Sequence, residues 1–117
     1  MITRAGRLDI KEYLQANFNR FKVGTGGDST NPNASNLDAP IGGLNTITTN
    51  GGSVRSVGRT TLEFNVIISG SAYLGQTIKE VGIFNSSDEM LIRVNYDGFG
   101  PLSATDEVNF IITIEVD

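Results

Sequence analysis

The sequence predicts a mainly β protein, an antiparallel β-sandwich or flattened barrel with one N-terminal α-helix. Three observations carry this. From Arg59 onward, apolar residues alternate with polar ones in stretch after stretch, the period-two signature of half-buried strands. Clusters of Gly, Asn, Ser and Asp separate those stretches, as turns between antiparallel strands require. A single segment near the N-terminus instead repeats its apolar residues at helical spacing. At 117 residues the chain has the length of one domain. It divides into a helical segment over 1–21, a long loop over 24–41 and a sandwich over 44–117.

The helix is predicted over residues 10–19. Asp9 is placed to cap it and Glu12 stands three residues on, so each side chain can satisfy an orphan backbone donor of the first turn. Leu8 and Tyr13 fall at the ends of a hydrophobic staple. Ile10, Leu14, Phe18 and Phe21 form a stripe expected to dock on the sheet.

Gly24-Thr25-Gly26-Gly27 then opens a stretch of Asn, Ser, Asp, Ala and Pro over 28–40 with Leu37 and Ile41 as its aliphatic anchors. Loops of this length in a compact domain are usually functional or held by a neighbour. Residues 44–49 and 53–57 flank Asn50-Gly51-Gly52. Asn-Gly supplies the positive φ values of a tight hairpin turn, so these two stretches are expected to pair.

The remaining strands follow from alternation. Leu62, Phe64, Val66 and Ile68 make one apolar row. Residues 78–85 and 90–96 are joined by the turn Asn85-Ser86-Ser87-Asp88, and Val108, Phe110, Ile112, Ile114 and Val116 make the last row. Ile67, Ile111 and the pair Val81 and Ile83 leave apolar residues on both faces of their strands. The second face must then be covered by the helix or by another subunit.

Composition excludes several classes of function. The net charge is −4 and the nine basic residues are scattered, which disfavours nucleic acid because phosphate contacts need clustered Lys and Arg. There is no Cys and no His, so disulfides, thiolate sites and the commonest zinc ligand and general base are missing. No window has the roughly 18 apolar residues of a membrane span and the N-terminus lacks the apolar core of a signal peptide, so synthesis in a cytoplasm and no membrane contact are expected.

Gly24-Thr25-Gly26-Gly27 lacks the Gly-Lys-Ser/Thr of a P-loop, and Asp28 would repel a phosphate. Asp88-Glu89 and Asp106-Glu107 read as solvated strand ends that discourage edge pairing, not as facing catalytic carboxyls. Asp28, Thr30, Asn31, Asn33 and Asp38 offer hard oxygens without the Gly and Glu of an EF-hand, and Asx turns explain them. No catalytic residue, metal or cofactor is expected. Glu80 differs, because it stands inside an apolar strand. A buried carboxylate needs a partner, and Lys79, Arg93 and the backbone donors of residues 24–27 are the candidates. Glu80 is therefore expected to form a structural brace with Gly24, Gly26 and Gly82.

Val23-Gly24-Thr25-Gly26, Leu37-Asp38-Ala39-Pro40-Ile41, residues 78–84, Leu91-Ile92-Arg93 and the closing strand after Thr105-Asp106-Glu107 occur in this order. Together these segments, about half the chain, resemble the small β-rich modules of tailed-bacteriophage tail-collar and tail-fibre proteins. The resemblance implies a non-enzymatic virion subunit, made in the host cytoplasm, that packs with other virion proteins and with copies of itself. Without the distal repeats or Gly-rich shaft of a fibre, the expectation is a tail, collar, baseplate or fibre-attachment adaptor. A capsid decoration protein is the alternative. A carbohydrate-binding sandwich is a more distant one, since the chain has no Trp and three Tyr for a stacking platform. The expected attachment surface comprises Arg4, Arg7 and Lys11 of the basic N-terminal segment, Asp28, Asn31, Asn33 and Leu37 of the loop, and Tyr73 with Leu74.

Overall fold

The alternation in the sequence becomes two apolar faces turned toward each other. The computed structural model describes residues 1–27 and 30–116, apart from the side chain of Asn50. Its elements are α1 (Arg4–Asn17), β1 (Arg20–Gly24), β2 (Pro40–Thr46), β3 (Ser53–Ser56), β4 (Thr61–Ser69), β5 (Ile78–Phe84), β6 (Met90–Phe99) and β7 (Glu107–Glu115). Among the described residues the strands form a four-stranded sheet, β2-β1-β5-β6, and a three-stranded sheet, β3-β4-β7. All neighbours are antiparallel. Phe21, Val23, Val81 and Ile83 of the first sheet are buried in one cluster with Leu62, Phe64, Val66, Ile68, Phe110 and Ile112 of the second. Each such side chain contributes about 1.5–3 kcal/mol by leaving water. The chain is a β-sandwich.

The helix begins well before the sequence predicts. Thr3 is its N-cap, with Oγ1 accepting from the Gly6 N–H at 3.1 Å. A threonine there satisfies a first-turn donor, and no proline follows to stop the helix before Asp9, which lies inside it and is not the cap. The docking face also differs. With 3.6 residues per turn, Lys11, Leu14 and Phe18 share the side toward β3 and β4, whereas Ile10 and Tyr13 fall on the outer side and are exposed. Ile10 therefore does not dock the helix. Phe21 belongs to β1, the strand missing from the sequence reading, so the sandwich starts at Arg20 and not at 44.

Residues 44–49 and 53–57 do not form a hairpin. β2 pairs with β1 and β3 pairs with β4, so the two stretches lie in different sheets. A 3-10 turn over Thr49–Gly51 carries the chain between them, with Gly51 at φ +89°. Of the positive φ values expected of Asn-Gly only that of Gly51 is present, and the turn changes layer because Ile47 is drawn into the core, fully buried, with its N–H on the Asn19 carbonyl at 2.9 Å.

Candidate functional site: a carboxylate brace under a strap

On β5, Val81 and Ile83 face the core, which sends Glu80, Gly82 and Phe84 to the outer face of the four-stranded sheet. The register places Gly24 of β1 and Asn95 of β6 beside Glu80, and Lys22 and Arg93 beside Gly82. Across this face lies the returning limb of the long loop, residues 30–39, here called the strap. β5 is thus covered on its second face by the chain's own strap and not by the helix.

Glu80 is fully buried, and among the described residues its carboxylate accepts three backbone hydrogen bonds. Oε2 receives the N–H groups of Gly26 at 2.7 Å and Ala39 at 2.8 Å. Oε1 receives that of Asp38 at 2.8 Å. An ionised carboxylate is acceptor-only, so three converging donors suit it, and each such bond is stronger than a neutral one. Of the partners considered from sequence, the backbone of the glycine turn is one. Lys79 is exposed, and Arg93 instead donates to Asp38 Oδ1 at 2.9 Å and to the Asn36 carbonyl at 3.3 Å.

Polar groups around the carboxylate complete the brace. Asn95 Nδ2 donates to the Gly26 carbonyl at 3.0 Å and to that of Lys79 at 3.3 Å. The Lys22 ammonium meets Asp88 Oδ1 at 2.7 Å and Asn36 Oδ1 at 3.3 Å, and lies 4.7 Å from the centroid of the Phe84 ring. Asn36 and Asn95 were not singled out from sequence. The signal was present for Asn95: in β6 it alternates with Val94 and Tyr96 and so shares a face with Arg93.

Close approach explains the glycines. A Cβ on Gly24 would sit 2.6 Å from both the Ala39 carbonyl oxygen and Glu80 Oε2, and one on Gly26 would sit 2.4 Å from Asp38 Cβ. At Gly82 it would lie 2.7 Å from the Phe84 ring and 2.9 Å from Leu37 Cδ2. Gly24, Gly26, Glu80 and Gly82 thus meet in one place, where chain is held to chain.

The residues expected at an attachment surface are more dispersed. Arg4 is exposed at the start of α1, and Arg7 donates to the Ile2 carbonyl at 3.2 Å. Lys11 is withdrawn from that surface: it is buried, with Nζ on Ser56 Oγ at 2.9 Å. Leu37 is withdrawn too, buried in the slot above Gly82. Asn31 and Asn33 are exposed at the crest of the strap, where Asn31 Oδ1 accepts from the Asn33 N–H at 3.0 Å in an Asx turn. Asp28 lies outside the described residues. Leu74 is exposed, whereas Tyr73 is half-buried against the core with its hydroxyl accepting from Asn45 Nδ2 at 3.2 Å. Burial pushes the Tyr73 hydroxyl pKa up, and the bond to Asn45 draws it part of the way back.

No protein-family model matches the chain, and no curated protein sequence matches it either.

Proposed function

We propose that this protein is a non-enzymatic structural subunit of a tailed-bacteriophage particle, an adaptor at the tail, collar or baseplate. The observation that carries the reading is the convergence of the motif segments. The Gly24-Thr25-Gly26 turn, Leu37-Asp38-Ala39, Glu80 to Gly82 and Arg93 are scattered over some seventy positions of sequence, yet they build one buried brace. The resemblance to tail-collar and fibre modules therefore rests on residues that meet in one place in the fold. Arg4, Asn31, Asn33 and Leu74, all exposed, and the half-buried Arg7 are assigned to attachment, with copies of the chain and other virion proteins as partners.

Two measurements test this. The reading frames beside the gene are expected to encode tail components; a place among capsid genes would favour the decoration reading. Purified protein is expected to join particles lacking it, and Arg4→Glu with Arg7→Glu is expected to weaken incorporation at moderate salt while the fold melts normally. Failure of the parent protein to join any particle would reject the reading.

A further inference from the structure

The strap and the sandwich are joined differently from the way the sandwich is joined to itself. Every strand of the sandwich places side chains in the common core or packed against it, but Leu37, the buried side chain of the strap, is not part of that core cluster. It sits on the far side of the four-stranded sheet, over Gly82. Among the described residues, Glu80, Arg93 and Lys22 tie the strap to the sheet beside the Thr25–Ala39 backbone bond: Asp38 and Ala39 donate to Glu80, Arg93 holds Asp38 and Asn36, and Lys22 holds Asn36. At its crest, the Ala34 N–H returns to the Asn31 carbonyl at 3.2 Å, so that turn is closed on itself.

From this arrangement we infer that the strap is a latched element that opens and closes as one unit on an intact sandwich, with the Glu80 carboxylate as its latch. A segment with one satellite apolar contact and a few shared polar anchors opens at lower free energy than strands that share the core. Glu80 is the latch because a single side chain satisfies donors on both limbs of the loop, Gly26 on the outgoing and Asp38 and Ala39 on the returning one. Closed, the strap presents Asn31 and Asn33 in one shape. Open, it uncovers Gly82, Phe84 and the Lys22 ammonium. The inference does not depend on the assembly reading, since it concerns the protomer alone.

Native-state hydrogen exchange on the full chain tests it. In the unaltered protein the amides of Gly26, Asp38 and Ala39 are expected to exchange with one common opening, faster than those of Val66 and Ile112 and with weaker dependence on denaturant. Glu80→Gln keeps the size but turns an amide donor toward backbone donors. It is expected to speed exchange at those three positions by about tenfold to a hundredfold, while they keep an opening distinct from, and faster than, that of Val66 and Ile112. If the three amides exchange only with the core amides in the unaltered protein, the strap is part of the sandwich's cooperative unit and the inference is overturned. Exchange of Gly26, Asp38 and Ala39 at the same rate and with the same denaturant dependence as Val66 and Ile112 in Glu80→Gln overturns it equally.

Discussion

The two sheets treat their outer faces in opposite ways. On the four-stranded sheet, Lys22, Glu80, Arg93 and Asn95 are covered by the strap, and the side chains of Lys22 and Arg93 are only 8% and 4% exposed. On the three-stranded sheet, Asn109, Ile111 and Thr113 face solvent without a strap, Ile111 is 58% exposed, and Glu63, itself half-buried, pairs at 2.8 Å with an Arg55 side chain that is 63% exposed. The same carboxylate chemistry therefore has two values in one molecule. Glu63 meets a largely exposed arginine, and pairs with an exposed partner contribute about 0–1 kcal/mol. Glu80 meets fixed backbone donors away from water, and removing it strands them. What decides the worth of a charge here is whether the chain folds back over it.

The comparison can be broken at several levels. Both faces depend on the core between the sheets, so Phe64→Ala is expected to cost the most, about 3–5 kcal/mol in urea unfolding; a loss below about 1 kcal/mol would mean that the sheets do not share the core described. Glu80→Ala is expected to cost about 2–3 kcal/mol, read as a lower melting temperature, because three donors lose their acceptor. An unchanged melting temperature would remove the distinction between the two faces. On the bare face, Arg55→Ala and Ile111→Thr are each expected to stay within about 1 kcal/mol of the parent. A larger loss, accompanied by a change in sedimentation, would reveal that a second copy packs on that face in solution.

The smallest effect is alkaline. Burial raises the pKa of the Tyr73 and Tyr96 hydroxyls, so the folded state favours the neutral phenols. Their contribution to stability is present below the ordinary value near 10 and is lost as pH rises through the raised folded values. Melting temperatures recorded from about pH 9 upward are expected to fall, and to fall less steeply in Tyr73→Phe with Tyr96→Phe; parallel curves would show that other groups govern the decline.

The sequence carried the sandwich where each strand announces itself locally. β4 and β7 alternate cleanly and pair over nine consecutive positions. β1 was harder to read, because five residues between a helix and a glycine turn give too short a run, and Phe21 fits the helical stripe as well as a strand. The early start of α1 turned on one hydroxyl at Thr3. The Asn-Gly step was read correctly as a turn but not as a change of layer, since that depends on Ile47 finding room between the sheets. At the brace, the burial of Glu80 among apolar neighbours was legible. Its donors Asp38 and Ala39 were not, because their N–H groups look like any others until topology brings them forty positions nearer.

The loop spanned by the strap has clasped ends: the Thr25 N–H meets the Ala39 carbonyl at 3.0 Å, beside the β1–β2 ladder. The distance between those ends is therefore set by the sheet and not by the number of residues in the loop. Closing a longer loop over fixed ends costs only about 0.6 kcal/mol for each doubling of its length. New residues placed between Asn31 and Ser35 would leave the anchors at Asn36 to Ala39 in register. The molecule thus holds a place where its outer shape can be rewritten, by drift or by design, while the sandwich beneath reads the same sequence as before.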